Sequence, residues 1–535
     1  MCVKKHLLFL FIFIFVSCSK TTSPVDSGLE NQIFHFGNGS EPQGLDPHVV
    51  TGVPEHHLLT SLCEGLVITN PKGGPNLPGV AESWSVSEDG LVYTFNLHPN
   101  AKWSNGEDVT AEDFVWSWMR ILTPSLGSQY PDMLYYVKNA AAYHTEEIDD
   151  FSMVGVKAAD AKTLVVTLEQ PYSFFIKLLS HYSTYAVPKD TVLAHGTIDD
   201  RNGEWTRPGN FVCNGPMQLK SWELNKKIVV EKNPFYWDAD KVQLNEMHFY
   251  PVSNESTEDR MFRAGQLHVT NVVPQEKCPV YMRENNPNLR IDPYVGTYFY
   301  RINTLNPVLK DKRVRKALAM SINRKQIVEN VSQCGQKAAY SFTPPGISGY
   351  EPDTSIPFSP EEAKELLSDA GFANGEGFPK LEILFNTQEG HRKIALAVQQ
   401  MWQQYLGIEV ELVNTDWKVY LSREMIGDFQ ISRAGWIGDY EDPNTFLDLM
   451  RPNRGNNKTG WDNFEYDALI ELANAQQDID KRYEILNKAE QLLIDEMPII
   501  PIYTYVRQYQ LSSDVQGWDP NPTDTHHPKF VFLQR

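Results

Sequence analysis

Alternating apolar and polar residues predict strands in the first half of the chain. Between Trp84 and Leu97, apolar residues alternate with polar ones on both sides of a Ser-Glu-Asp-Gly turn at 87–90, which is typical of a β-hairpin. Apolar runs at 164–168 and 228–230 have the length and composition of buried strands. This half of the chain is therefore predicted to contain several short strands.

Helical spacing of apolar residues recurs along the chain, and capping residues mark where the helices begin. Thr110, Asp311 and Ser359 each precede such a segment, and Pro360 occupies the first helical position after Ser359. The other elements predicted in the second half are helices at 391–406 and 482–495 and strands at 408–412 and 499–505. Helices and strands alternate across 295–506, which indicates an α/β region.

One stretch interrupts its strand and carries candidate binding groups. The strand predicted around Ile431 breaks at Gly435 and Gly438, which bracket the large side chain of Trp436 and lead to Asp439. Glycine permits close approach of a second backbone, and ligand-binding groups commonly follow the end of a strand. We interpret the stretch as a candidate ligand site centred on Asp439. A simple strand-to-loop turn is the alternative.

The amino terminus is predicted to be an export signal. Two lysines precede an apolar run at 7–16, which is too short to remain in a bilayer as a spanning helix. The run ends in Phe-Val-Ser-Cys-Ser, which resembles a bacterial lipoprotein motif. Residues 1–18 are therefore interpreted as a lipoprotein signal peptide with Cys18 as the lipidated residue, and the polar residues 19–30 as a flexible tether. An ordinary secretory signal with a coincidental cysteine is the alternative.

Length and charge narrow the class of function. A chain of 535 residues is too long for one hydrophobic core, so two or three domains are expected. The net charge of −20 at pH 7 is spread along the chain, and no basic stripe is available to neutralise phosphates. Nucleic acid is therefore not expected as a partner. This length and charge distribution fit a soluble protein that binds small ligands.

Four cysteines lie beyond the signal segment: Cys63, Cys213, Cys278 and Cys334. Three pairings are possible in an oxidising compartment, and the sequence does not choose among them. Buried free thiols are the favoured interpretation. No Cys-x-x-Cys pair or other zinc-ligand spacing is present, so no metal site is predicted.

Enzyme motifs are absent from the sequence. We find no Gly-x-Ser-x-Gly, no His-Glu-x-x-His and no Walker phosphate loop, and no cofactor is predicted. Carboxylate pairs near Asp439 would also suit a glycosidase, but with 68 acidic residues such pairs arise by chance. A non-enzymatic receptor is the favoured interpretation, and an exported hydrolase that uses Asp439 is the alternative.

Large aromatic residues lie at the ends of predicted segments, near glycines. They are Tyr130, Tyr294, Tyr298, Phe299, Trp417, Trp436 and Tyr505. Packing in a core is the alternative for any one of them, but together they suit a cleft with roomy, hydrated pockets. A cleft for extended peptides also needs backbone donors and acceptors and an anchor for the terminal ammonium group. Asp439 is the predicted anchor.

Five further motifs carry a family resemblance. They are Asn-Gly-Ser-Glu-Pro-Gln-Gly-Leu-Asp-Pro-His at 38–48, Gly-Val-Ala-Glu-Ser-Trp at 79–84, Trp-Ser-Asn-Gly at 103–106 with Val-Thr-Ala-Glu-Asp-Phe at 109–114, Asn-Pro-Phe-Tyr-Trp-Asp at 233–238, and Val-Arg-Lys-Ala-Leu at 314–318. With the stretch around Asp439, they resemble the periplasmic oligopeptide-binding lipoproteins of ABC importers, in the larger peptide/nickel solute-binding family. The resemblance covers residues 31–535.

The resemblance implies an α/β, two-lobed flytrap fold with an additional domain, three domains in all. Such lobes close on a hinge and bury the ligand. The implied ranges are 22–63, 189–294 and 507–535 for a discontinuous domain I, 64–188 for the extra domain II, and 295–506 for domain III, the second lobe.

The resemblance also implies a role for individual residues. Asp439 matches the aspartate that pairs with the peptide ammonium, and His391 matches a residue near the carboxylate end of longer peptides. Arg433, Gly435 and Trp436 match the strand that pairs with the peptide backbone. Pocket and cleft walls are matched by Val53, Tyr130, Tyr294, Trp417 and Tyr505. The predicted ligand-binding set is completed by Asn271, Tyr298, Arg301, Glu424 and Ile437.

Three positions depart from the family pattern. Arg301 replaces a glutamate, Glu424 replaces an arginine, and a cysteine pair of some members is replaced by Gly296 and Ile437, so that disulfide cannot form. The two charge changes have opposite signs. Arg301 either pairs with Glu424, which would leave specificity little altered, or binds a carboxylate of an acidic or murein-derived peptide.

The predicted function is that of a substrate-binding component which delivers short oligopeptides to an inner-membrane ABC permease. The chain is expected to be a monomer in the periplasm or cell envelope, held to a membrane by its lipid. Within the same family, murein peptides, dipeptides, a nickel chelate and haem are the alternative ligands.

Overall fold

The computed structural model describes residues 22–452 and 454–535, and they form two lobes with separate hydrophobic cores. The predictions for the signal peptide and for Cys18 lie outside the described residues. Within the described ranges, no helix is both long enough and apolar enough to cross a membrane.

The first lobe contains two four-stranded sheets that share one core. Phe34 and Phe249 from one sheet and Phe95 and Leu164 from the other belong to the same buried cluster. In sheet order the strands are Ile33–Gly37, Glu246–Tyr250, Lys227–Lys232 and Met217–Glu223, and then Ala81–Val86, Val92–Leu97, Thr163–Thr167 and Val156–Asp160. Two short pairs join Val67–Ile68 to Leu77–Pro78 and Val515–Gln516 to Phe532–Leu533.

Short helices cover the sheets of the first lobe. They are Pro24–Asn31, Val53–Leu62, Ala111–Leu122, Ala140–His144, Phe175–Leu178, Lys189–Ala194, Glu255–Arg263 and Cys278–Arg283. Phe114 and Trp118 of Ala111–Leu122 are fully buried in the shared core. This core therefore joins the predicted domains I and II into one body.

The second lobe is built on a six-stranded sheet with helices on both faces. The strand order is Lys337–Ala338, Ile499–Gln510, Leu289–Ile302, Ile431–Ile437, Leu381–Asn386 and Val410–Thr415. Because side chains alternate along a strand, Tyr300 and Ile302 face one helical layer while Phe299 faces the other. The helices are Lys312–Met320, Arg324–Ile327, Pro360–Asp369, Glu389–Leu406, Trp417–Met425, Asn444–Leu447, Phe464–Ala475 and Ile479–Glu496.

Two long antiparallel strands, Leu289–Ile302 and Ile499–Gln510, run from the second lobe towards the first. Their register shifts between Pro293 and Thr297. The predicted domain boundaries at 294/295 and 506/507 fall inside this pair, and they stay predictions.

The elements predicted from capping residues and periodicity are confirmed. Ala111–Leu122, Lys312–Met320 and Pro360–Asp369 begin directly after Thr110, Asp311 and Ser359, and the predicted hairpin is present. The helices predicted from residues 391 and 482 begin slightly earlier, at Glu389 and Ile479.

The tether prediction is wrong for residues 24–30, which belong to the helix Pro24–Asn31. The Ser23 hydroxyl accepts a hydrogen bond from the Asp26 N–H at 3.1 Å, and Pro24 occupies a first-turn position. The Val25 N–H donates to the Gly265 carbonyl at 2.9 Å. These contacts hold the segment against the first lobe, although its composition is polar.

The interpretation of the four cysteines as free thiols is also wrong. Cys63 is bonded to Cys213 and Cys278 to Cys334, with Cα–Cα distances of 5.3 and 5.6 Å. These separations suit a disulfide. They are created by the fold, because the partners lie 150 and 56 residues apart in the chain.

Candidate ligand-binding site

The strand Ile431–Ile437 has one edge that is only partly paired. On one side it pairs along its full length with Leu289–Ile302. On the other side, Leu381–Asn386 pairs with only Ile431 and Ser432. From Arg433 onward, no strand of the described chain covers this edge.

The exposed backbone groups of this edge belong to alternate residues. The Tyr420 hydroxyl donates a hydrogen bond to the carbonyl of Arg433, which therefore points away from the paired strand. Since strand residues alternate, the N–H and C=O groups of Gly435 and Ile437 point the same way. The edge can therefore pair with an added extended chain.

Two adjoining chambers of about 150 and about 260 Å³ lie along this edge, between the lobes. Val53 of the first lobe, Tyr294 of the connecting strands and Trp417 of the second lobe line both chambers. A Cβ atom at position 435 would lie 2.5 Å from the Tyr505 hydroxyl oxygen. Glycine at position 435 thus keeps the edge and the chamber wall close together.

Asp439 follows the open edge, and its side chain is only 10% exposed. The Tyr130 hydroxyl donates to its carboxylate at 3.5 Å, and His181 Nε2 lies 3.3 Å from the same oxygen. The Asp439 N–H donates to the Thr445 hydroxyl at 3.0 Å. These contacts hold the carboxylate at the end of the first chamber.

No cation among the described residues balances Asp439. Burial raises the pKa of Asp439 well above its ordinary value, and Asp132 adds to the rise. Burial lowers the pKa of His181 well below its ordinary value, so this ring is neutral. The Ser183 N–H donates to His181 Nδ1 at 3.4 Å, which leaves the ring proton on Nε2 towards Asp439. A ligand ammonium group would supply the missing charge.

Arg433 lines the second chamber as well as the first. The Arg433 guanidinium donates to the Tyr505 hydroxyl at 2.8 Å and to Asn386 Oδ1 at 3.4 Å, and it lies 4.9 Å from the centre of the Tyr298 ring. Within the described ranges no carboxylate lies within 4.0 Å of it. Burial, and then Arg433, lower the pKa of His391 well below its ordinary value. A ligand carboxylate would fit beside Arg433.

Arg301 and Glu424 form an ion pair in the wall of the first chamber. Arg301 Nη1 lies 2.5 Å from Glu424 Oε1, which also accepts a hydrogen bond from the Ser432 hydroxyl at 2.6 Å. The pair is the one expected if the two charge changes compensate each other.

The structure brings together almost all of the predicted site residues. The first chamber is lined by Tyr130, Arg301, Glu424, Trp436 and Asp439, and the second by Asn271, His391 and Tyr505. Val53, Tyr294, Trp417, Arg433, Gly435 and Ile437 line both. Tyr298 lines neither, because it is fully buried beneath Arg433; this placement corrects the prediction that it contacts a ligand. Sequence analysis missed His181, which no motif links to Asp439.

Two lobes joined by a pair of strands enclose a space that contains an open strand edge, the Asp439 carboxylate and the Arg433 guanidinium. This arrangement defines a binding protein that encloses its ligand. The family model of bacterial extracellular solute-binding proteins, family 5 (middle part), matches residues 77–458. The chain belongs to this family.

Individual relatives are similar over almost the whole chain. The periplasmic oligopeptide-binding protein OppA of Salmonella typhimurium is 38% identical, with 97% of this chain and 96% of that protein covered. The structure of the Escherichia coli murein tripeptide-binding protein MppA has a TM-score of 0.90 at 35% identity, with 94% of this chain and 98% of that chain covered. The structure of Haemophilus influenzae OppA in complex with the peptide RPPGFSPFR has a TM-score of 0.89 at 33% identity, with coverage of 95% and 99%.

The lobes have the arrangement of the peptide complex. An unliganded open form of MppA matches with a TM-score of only 0.64, although its identity of 36% and its coverage of 94% and 98% are as high. Since the fold is shared, we attribute the lower score to the relative placement of the lobes. The chambers described here therefore belong to a closed arrangement.

Proposed function

We propose that this chain is the substrate-binding component of an ABC importer and captures short peptides in extended form between its lobes. The observation that carries the proposal is the buried carboxylate of Asp439, which has no cation partner among the described residues and lies at the end of an open strand edge. A peptide supplies both missing parts, an ammonium group for Asp439 and backbone groups for the edge at Arg433, Gly435 and Ile437. The relatives that bind oligopeptides and murein tripeptides support this reading.

The length of the open edge suits short peptides. At roughly 3.3 Å per residue, Arg433 and Ile437 are about 13 Å apart along the strand, which is about four extended residues. The ammonium group would bind Asp439, and the carboxylate of a short peptide would bind beside Arg433. Because the remaining contacts are to the peptide backbone, side chains of many kinds could occupy the hydrated pockets around Val53, Tyr130 and Trp417.

The proposed role is capture and delivery, without a catalytic step. The chain would act in the periplasm or cell envelope as a monomer, tied to a membrane through a lipid on Cys18, and would pass its peptide to the membrane permease. Residues 22–63, 189–294 and 507–535, residues 64–188, and residues 295–506 would be its three domains. The paired strands at 293–297 and 504–507 would form the hinge.

Native mass spectrometry of the chain from Ser19 onward tests the proposal. The protein is measured as purified and then with a mixed peptide library, either free or N-acetylated. We expect adducts of free short peptides and their loss on acetylation, because an acetylated terminus carries no charge for Asp439. Equal binding of acetylated peptides would contradict the role of Asp439. Binding of nickel chelates or haem in place of all peptides would contradict the peptide proposal, whereas binding of murein peptides alone would narrow it to that class of peptide.

A further inference from the structure

A groove of about 640 Å³ adjoins the first chamber where the chamber reaches Glu424. It lies between residues 129–145 of the first lobe and residues 424–427 and 454–460 of the second. Glu424 lines both the groove and the chamber. The chamber and the groove are therefore neighbours at Glu424.

Two neighbouring cations, Arg301 in the chamber wall and Arg454 in the groove wall, are already paired. Arg301 forms the ion pair with Glu424. Arg454 Nη2 donates to Asp448 Oδ1 at 3.0 Å. Within each pair the two charges cancel, so neither pair gives the groove a net charge.

Lys458 is the cation without an anion. Its ammonium group donates to the side-chain oxygen of Gln129 and to the carbonyl of Gly455. In the part of the chain that the structure describes, no carboxylate lies within 4.0 Å of it. Burial, and then the charge of Arg301, lower the pKa of Lys458 to about 8. A partly buried ammonium group beside a second cation is stabilised when an anion joins them.

We propose that Lys458, together with Arg301, forms a subsite for an acidic side chain of the bound peptide. The inference rests on the proposed function and adds a preference to it. Only Nη1 of Arg301 donates to a described residue, so its other nitrogens are available to a carboxylate. With Glu424 counted, the group carries one net positive charge, which one ligand carboxylate neutralises. Because the chamber also contains Asp439, the acidic residue lies near the amino terminus of the peptide.

Lys458 also takes part in a contact between the lobes, which the test must separate from specificity. Asn456 Nδ2 donates to the Gln129 carbonyl at 3.0 Å, and a Cβ atom at Gly455 would lie 2.1 Å from the same oxygen. Loss of the Lys458 contact with Gln129 would weaken closure around every peptide equally. Loss of an acidic subsite weakens the binding of acidic peptides alone.

Calorimetry with matched tripeptides makes this separation. Ala-Glu-Ala is compared with Ala-Gln-Ala, and Glu-Ala-Ala with Gln-Ala-Ala, on the chain from Ser19 onward and its variants. We expect the glutamate peptide of at least one pair to bind about tenfold more tightly, as a charge-assisted contact provides. In Lys458→Gln this preference should fall to within about twofold, and any loss that comes from the contact with Gln129 should be common to both peptides of a pair. The control Lys364→Gln removes an exposed lysine of the same lobe and should keep the preference.

Several outcomes would overturn the inference. One is equal affinity for the glutamate and glutamine peptides in the unchanged protein. Another is a preference that survives in Lys458→Gln, and a third is an equal loss for both peptides, which would assign Lys458 to the lobe contact. If neither peptide of any pair binds, the proposed function fails as well, and that result is distinct from equal binding.

Discussion

Two buried carboxylates line the same chamber, but only one of them has a cation beside it among the described residues. Glu424 is 7% exposed and is held by Arg301 and the Ser432 hydroxyl. Asp439 is 10% exposed at its side chain, yet its neighbours are a tyrosine hydroxyl and a neutral histidine. A buried charge is costly unless an opposite charge and hydrogen bonds satisfy it.

This difference in charge partners suggests different roles for Glu424 and Asp439. Glu424 is satisfied within the protein, so its pair shapes the chamber in the presence or absence of ligand. Asp439 would gain a counter-charge when a positively charged ligand group enters the chamber. Under the proposed function, Asp439 is therefore the carboxylate that pairs with the ligand, and Glu424 is not.

Asp439→Asn should cause the largest change. It removes one partner of the proposed buried ammonium–carboxylate pair, and we expect a loss of about 4 kcal/mol in peptide binding, roughly a thousandfold in Kd. Isothermal titration calorimetry with a free tripeptide measures it. Asp462→Asn, at an exposed position of the same lobe, is the control and should bind normally. A loss of less than tenfold in Asp439→Asn would contradict the anchor.

Arg301→Met should mainly affect stability. It leaves Glu424 buried without its cation, so the free energy of unfolding should fall by about 3 kcal/mol in denaturant titrations. The exchanged pair Arg301→Glu with Glu424→Arg should recover most of this loss. If the double variant is no more stable than the single one, the ion pair is not what stabilises this wall.

Peptide affinity should fall at low pH because of Asp439. Its raised pKa in the empty closed protein means that protons compete with the ligand ammonium as the pH falls through that value. Above it the carboxylate is ionised and the pair forms fully; below it affinity should drop by up to about tenfold per pH unit. Burial raises the pKa of Glu55 to about 7, so the titration of Glu55 also contributes to the pH dependence of Kd. The difference in log Kd between the unchanged protein and Asp439→Asn cancels this contribution. A pH-independent difference would contradict the prediction.

The smallest effect concerns the empty protein. An ionised Asp439 disfavours the closed arrangement without ligand, so Asp439→Asn should shift the empty protein towards closure by about 1 kcal/mol, roughly fivefold in the closed-to-open ratio. Small-angle X-ray scattering should then give a smaller radius of gyration. Asp462→Asn should leave the radius of gyration unchanged. An equal decrease in that control would show that the effect is not specific to Asp439.

Much of the local structure follows from the sequence, because its causes lie within a few residues. Thr110, Asp311 and Ser359 cap helices whose apolar positions repeat over the next turns. Gly435 and Gly438 marked the site for the same reason, although the strand does not break at Gly435 and continues to Ile437. The family resemblance added the two-lobed arrangement and most of the chamber-lining residues.

Other features depend on contacts that no local pattern contains. The helix Pro24–Asn31 has a local cap at Ser23, but its contact with Gly265 comes from a distant part of the chain. The cysteines pair because the fold brings their Cα atoms to 5.3 and 5.6 Å. Tyr298 looks like a cleft residue in the sequence, but the alternation of its strand directs it into the core beneath Arg433.

The sequence by itself determined the elements, the family and the candidate anchor Asp439. Only the tertiary structure decided which charges are satisfied: Glu424 by Arg301, Asp439 and Lys458 by nothing in the described chain. The physical reason is distance. Capping and periodicity act over a few residues, whereas the state of a buried charge depends on groups that folding brings together from distant parts of the chain.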